Sequence, residues 1–320
     1  MRSQDLHRFL FNGLPVRGAL VRLTTSWREA LECRAEGGAF PAPVRALLGE
    51  MAAAGILMQA NLKFEGALVL QLHGDGPVKL AVAEVRSNLR FRATARVIDE
   101  VAPQATLEDL VNVGGNGRCA ITLDPSDRPE GTLPYQGVVP LYGDQREPLA
   151  ALSQVIEHYM LQSEQLDTRL VLAANDDVAA GLLVQRMPLT RAGDAARRND
   201  EHQIGRNEDF NRIAHLAATV SADELLGLDV DSLLQRLFWD EKLLRYEPLE
   251  ASFGCSCDQA RVRQMLIGLG HAELDEIIAE RDVIEVGCDF CGRQYHFGAS
   301  DVAEMFARVS EQPGPSDTLH

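Results

Sequence analysis

The 320-residue chain has no long hydrophobic run, no basic tract and none of the short motifs that mark common enzyme classes. Its most apolar stretch, Met51 to Ala60, is about half of what a bilayer span requires, so it is read as a helix packed in a core. The opening Met1-Arg2-Ser3-Gln4-Asp5-Leu6-His7-Arg8 is polar, and no apolar segment with a small-residue cleavage site follows, so no secretory signal is expected. No Lys/Arg run exceeds Arg197-Arg198, and the formal net charge is −16. Such a surface repels phosphate backbones and anionic lipids, so neither nucleic acid nor a membrane is an expected partner. Also missing are a Walker-type phosphate loop, a His-Glu-x-x-His helix and a Gly-x-Ser-x-Gly elbow. Val113-Gly114-Gly115-Asn116-Gly117 lacks the Lys-Ser/Thr of a phosphate loop and precedes a strand, which makes it a tight turn. The six cysteines, four of them clustered, do not form a secreted disulfide framework. A reducing cytoplasm is the expected compartment.

The pattern along the chain is that of an α+β protein. Residues 1–188 read as a strand-rich N-terminal α/β domain. Val44, Leu47, Leu48, Met51 and Gly55 share one helical face in the stretch Pro41–Leu62, which the two prolines suit to open. Two strands follow, Ala67–Leu72 and Val78–Val85, with a hairpin signal at His73-Gly74-Asp75-Gly76. Further strands are predicted at Cys119–Leu123, Gly137–Leu141, Arg169–Ala173 and Gly181–Met187, and a helix at Pro148–Ser163. Strand runs broken by separate helices favour α+β over a βαβ repeat.

Residues 189–252 read as a metastable helical linker. Arg191 to Asp209 is charged, with Ile204 as its one large apolar residue, and buries too little to hold itself in place. Short amphipathic helices come next, with stripes at Phe210, Ile213, Ala214 and Ala217 and at Leu233, Leu234, Leu237 and Phe238. Ser221-Ala222-Asp223-Glu224 has capping-box spacing. Helices this short are unstable alone and must pack on something. Residues 253–320 form a compact tail of short helices and two strands, Ile284–Val286 and Tyr295–Phe297, with too little core to fold unaided.

The tail carries Cys255-x-Cys257 and, thirty residues on, Cys288-x-x-Cys291-Gly292. Two local thiolate pairs brought together by a fold supply a tetrahedral zinc site, with Cys255, Cys257, Cys288 and Cys291 as ligands. Iron on the same ligand set is the minor choice. Gly292 fits a turn needing positive φ so that amides face sulfur. His271 and His296 lie nearby in sequence, but four thiolates already fill the tetrahedron. The bland reading is a passive staple, within an enzyme or a nucleic-acid-binding module. A sensing role is favoured by Cys-x-Cys, because a disulfide between residues two apart is strained and reducible. Cys33 and Cys119 read as bystanders on a helix and a strand.

These residues place the chain beside a known family. The sequence resembles the redox-regulated heat-shock chaperones, the 33 kDa chaperonin family, over nearly its full length. The most specific match is Phe253-Gly254-Cys255-Ser256-Cys257 with Cys288-Asp289-Phe290-Cys291-Gly292. Supporting matches are Asp5-Leu6-His7-Arg8-Phe9, Val16-Arg17-Gly18, Leu72 to Pro77, Tyr135-Gln136-Gly137-Val138-Val139 and Ser163-Glu164-Gln165-Leu166. The charged Arg197–Asp209 stretch and the arginines of Arg86–Arg96 depart from the family pattern.

The resemblance implies an ATP-independent holdase, inactive when reduced with one zinc per chain. It implies that oxidation forms the disulfides Cys255–Cys257 and Cys288–Cys291 with loss of zinc. The linker then unfolds, and unfolding client proteins are bound, usually by a homodimer. Leu233, Leu237, Phe238 and Trp239 are the apolar residues expected to meet a client.

Overall fold

A computed structural model describes residues 5–35, 37–129, 131–187 and 204–310, with residues 308–310 described by backbone alone. Most of the linker expected at Arg191 to Asp209, and the frayed end expected from Gln312, lie outside these residues. The chain forms two compact units, Met1–Glu32 with Phe40–Gly254, and Cys33–Ala39 with Cys255–His320.

In chain order the elements begin with β1 (Leu6–Phe11), β2 (Val16–Leu23), α1 (Thr25–Ala35) and α2 (Ala42–Gln59). Then come β3 (Gly66–His73), β4 (Val78–Arg86), β5 (Arg90–Val97), α3 (Leu107–Val111), β6 (Arg118–Pro125) and β7 (Tyr135–Pro140). They continue with α4 (Leu152–Glu164), β8 (Thr168–Ala174), β9 (Ala179–Arg186), α5 (Glu208–Ala218), α6 (Ala222–Gly227) and α7 (Val230–Phe238). Two very short strands follow, β10 (Leu243–Arg245) and β11 (Ser252–Phe253). The second unit adds α8 (Gln259–Leu269), α9 (His271–Arg281), β12 (Val283–Gly287), β13 (Gln294–Gly298) and α10 (Ala299–Ser310).

The first unit holds two sheets. One is antiparallel, in the order β10-β1-β2-β9-β8; the other runs β11-β5-β4-β3-β6-β7, antiparallel except for the parallel β11–β5 pair. The helix α2 packs on both. Pro41 precedes it at φ −56°, as suits a helix start, and every residue from Met51 to Gln59 is buried. Two glycines set the spacing. A Cβ on Gly49 would lie 2.5 Å from Ala174 Cβ in the first sheet, and one on Gly55 would lie 2.8 Å from Val85 Cγ2 in the second. Each lets a strand come closer than a methyl group would allow.

The opposite face of the five-stranded sheet is covered by α5 to α7. Strand alternation explains why β9 is buried along its whole length. Ala179 and Leu183 join the core around α2, while Ala180, Leu182 and Val184 join Phe210, Ile213, Leu233, Leu237 and Phe238 in a second core. Local chemistry closes each covering helix. Asn207 Oδ1 accepts from Phe210 N at 2.8 Å, the Ser221–Glu224 capping box is formed, and Asp229 Oδ1 accepts from Ser232 N at 3.0 Å.

After α7 the chain returns to both sheets in quick succession. β10 pairs with β1, Leu6 and Leu249 exchange backbone hydrogen bonds, and the buried Asp5 carboxylate accepts from Ala251 N at 3.0 Å. β11 then pairs with β5, and Gly254 N donates to Phe91 O at 3.0 Å. The second unit opens at the next residue. Its core is small: Leu266, Leu274, Ile284, Phe297, Val302 and Met305 are the buried side chains of one cluster. A core of that size favours a covalent or metal staple.

Candidate metal centre

Cys288 and Cys291 sit on the turn between β12 and β13. The last strand pair is Gly287 with Gln294; Cys288 N donates to Arg293 O at 2.9 Å and Gly292 N to Cys288 O at 2.8 Å. Gly292 adopts φ +73°, the left-handed turn conformation expected for it. Cys255 and Cys257 lie in the segment between β11 and α8, where Asp258 caps the helix by accepting from Arg261 N at 2.7 Å.

These elements bring the four sulfurs together, all within 4.8 Å of one another. The Cys255–Cys288 separation is 3.5 Å and the Cys257–Cys291 separation 3.3 Å. All four are free thiols. A tetrahedron of sulfurs about 2.3 Å from a central ion has edges of about 3.8 Å, so the spacing fits a four-thiolate metal site. Among the described residues this is the one group of three or more His, Cys, Asp or Glu side chains placed to hold a metal ion.

The electrostatics agree with that use. Burial pushes the Cys291 thiol upward, and the sulfurs of Cys257, Cys255 and Cys288 add to the rise, while the Arg293 backbone N–H pulls the other way. A buried thiol surrounded by three further sulfurs belongs to a donor set that a divalent cation would satisfy. Tyr295 stands beside them. Burial first, and then the Cys257 sulfur, push its hydroxyl up to about 12, so it keeps its proton. Tyr295 escaped the sequence reading because one tyrosine in a strand carries no positional signal. The two histidines are turned to carboxylates, His271 Nδ1 to Asp275 at 2.8 Å and His296 Nδ1 to Glu285 at 3.5 Å.

Comparison with known proteins assigns the chain. Residues 4–298 match the family described as Hsp33 protein. A 33 kDa chaperonin from Chromobacterium violaceum is 41% identical over 301 residues, spanning 94% of this chain and 93% of that protein. The chain belongs to the Hsp33 family. A 33 kDa chaperonin from Methylobacillus flagellatus is 40% identical over 319 residues, 99% of both chains. The crystal structure of the 33 kDa chaperonin from Thermotoga maritima shares the fold at TM-score 0.73 and 18% identity, covering 97% of this chain and all of that one. The strand-rich α+β architecture and the clustered cysteines are those expected of an Hsp33 chain.

The apolar residues singled out in the sequence are placed unevenly. Leu233, Leu237 and Phe238 are buried on the inner face of α7, whereas Trp239 is 79% exposed. Phe238 stacks edge-on to Phe11 at 5.0 Å between centroids and lies 6.2 Å from Phe9. Cys119 is buried in β6, with its thiol pushed up to about 12 by burial, and Cys33 is on α1. The Gly114–Gly117 segment is a turn, held where Asn116 N donates to Asp75 Oδ2 at 2.9 Å. Among the described residues no helix is long and apolar enough to cross a membrane.

Proposed function

We propose that this Hsp33 chain is a redox-regulated, ATP-independent holdase that binds unfolding proteins. The observation that carries the reading is the cluster of four cysteines in a unit with a very small core. Cys255, Cys257, Cys288 and Cys291 would hold one zinc ion, which when bound keeps the sulfurs as thiolates and supplies most of that unit's stability. Structural zinc contributes on the order of 10–16 kcal/mol in small peptides, against roughly 5–15 kcal/mol for the stability of a whole domain.

Oxidation joins Cys255 to Cys257 and Cys288 to Cys291. Each pair of thiolates gives two electrons to one hydrogen peroxide as its S–S bond forms and the O–O bond breaks; two protons from solvent complete two waters, and the thiolate donors are lost. The second unit then unfolds, and the disturbance reaches the first along the chain. Cys255 directly follows Gly254, whose amide is bonded to β5, and the strands β10 and β11 are three and two residues long. Release of this strap frees α7, α6 and α5 from the sheet. Leu233, Leu237 and Phe238 become exposed beside Trp239 and form, with the uncovered strands, an apolar surface for a client. The oxidised chain works as a homodimer in the cytoplasm.

The test is a light-scattering assay of a heat-aggregating client with the reduced, zinc-loaded chain and with the peroxide-treated chain. Suppression by the oxidised chain alone, with one zinc released per chain, is expected. Equal activity in both states would reduce the metal to a passive staple, and no activity in either would reject the holdase.

A further inference from the structure

Tyr295 carries a buried polar group that the fold leaves unpaired. In β13 it lies opposite Val286 of β12, and strand alternation puts it on the same face as Phe297, the fully buried ring of the second unit's core. Its own ring packs against that core, while Gln294 and His296 on the other face are exposed. The hydroxyl at its tip is covered from solvent yet completes no hydrogen bond of ordinary geometry. A covered tyrosine hydroxyl ordinarily finds a partner, and one without a partner calls for an explanation in the site it adjoins.

The neighbours of that hydroxyl limit what it can do. After burial, the Cys257 sulfur and the Arg293 guanidinium are the groups that act on it. A guanidinium has only donors, so it can give a hydrogen bond to the phenol oxygen and take none. The hydroxyl proton is left with one acceptor among them, the sulfur of Cys257, which directly precedes the α8 cap Asp258. A neutral thiol is a weak acceptor, which accounts for an unpaired hydroxyl beside free thiols; a thiolate is a far better one.

We propose that Tyr295 is a positioning residue of the metal centre: its hydroxyl donates to the Cys257 sulfur once that sulfur is a metal-bound thiolate, and the bond helps to retain the ion and makes Cys257 less nucleophilic. The role presupposes the four-cysteine metal site and adds to it a group outside the ligand set. Hydrogen bonds from such groups orient a ligand and draw electron density from it, and their loss costs about 10–100-fold in metal affinity.

The test compares the full chain with Tyr295→Phe, which keeps the ring and loses the hydroxyl, each loaded in reductant with cobalt(II) as a spectroscopic stand-in for zinc. The unaltered chain should show the sulfur-to-metal charge-transfer band of a four-thiolate tetrahedron. In Tyr295→Phe that band should move to lower energy, because a thiolate relieved of a hydrogen bond gives up charge more readily. Zinc affinity, read by competition with a chromophoric chelator, should fall about tenfold or more. Iodoacetamide, from which a thiolate displaces iodide as the carbon–sulfur bond forms, should label Cys257 faster relative to Cys255 than in the unaltered chain. Phe297→Leu thins the same core without removing a hydroxyl; it should lower stability and leave the band in place. An unmoved band in metal-loaded Tyr295→Phe would overturn the proposal, and so would an equal shift in Phe297→Leu. An unaltered chain that takes up no metal would remove the metal site, and this role with it.

Discussion

Replacing Phe238 by alanine separates the covering helices from the cysteine site. The ring is 2% exposed and packs on Phe11 and Phe9 of β1, so the substitution removes a buried aromatic and leaves a hollow beneath α7. Truncations of this kind cost about 3–5 kcal/mol, which includes the ring–ring contacts. At about 1.4 kcal/mol per decade, the equilibrium between covered and uncovered sheet should move by roughly two to three and a half decades. Hydrogen exchange followed by mass spectrometry reads this directly, because amides that open locally report the local free energy. In reductant, amides of α5 to α7 should lose at least about two decades of protection, while those of α2 keep theirs. Zinc content should stay at one per chain, and client aggregation should be partly suppressed without any oxidant. The reasoning fails if α5 to α7 keep full protection. It fails equally if α2 loses protection in step with them, since the helices could then not leave the sheet on their own.

Three further outcomes follow from the geometry. Cys257→Ser should weaken metal binding and unfold the second unit in reductant while the first unit's melting transition persists; zinc titration with circular dichroism checks this, and unchanged affinity would remove Cys257 from the ligand set. Cys288–Cys291 should form before Cys255–Cys257, because a Cys-x-x-Cys turn closes a disulfide with less backbone strain; peptide mapping of timed peroxide samples decides it, and a dominant Cys255–Cys288 or Cys257–Cys291 link would refute the strain argument. Burial raises the Glu50 carboxyl from 4.5 to about 7, so the folded chain binds more protons than the unfolded one between those values. Stability should therefore fall as pH rises through that window, and Glu50→Gln should flatten the dependence and stabilise the chain at pH 8 by roughly 1–3 kcal/mol in urea titrations.

The cysteine site was legible in the sequence because its ligands come as two local pairs, and Gly292 marks the turn that one of them needs. The helix over Pro41–Leu62 and the strands of the β3–β4 hairpin were legible for a similar reason. Their apolar residues recur at the period of the element, and turn residues bracket them. The covering helices revealed their inner stripes, with Phe210, Ile213, Leu233 and Phe238 all turned inward as the spacing requires. What lies under those stripes was not legible. Periodicity gives a face its character but names no partner, and only the pairing of β1, β2, β9 and β8 into one sheet supplies the surface that α5 to α7 cover.

The short strap strands show the limit more sharply. β10 and β11 have three and two residues, too few to carry a period of two, and they exist because β1 and β5 offer open edges to a chain passing by. The hydrogen bond from Arg17 to Gln185 depends still more on tertiary structure. The two residues are 168 apart in the chain, and only the pairing of β2 with β9 sets them opposite one another. The sequence by itself determined which residues are chemically able to hold a metal and which faces need covering, because both are local properties of residue type and spacing. Tertiary structure alone decided that the four sulfurs lie within 4.8 Å and that Phe238 is covered while its neighbour Trp239 is exposed, because distance and burial depend on segments the local pattern does not contain.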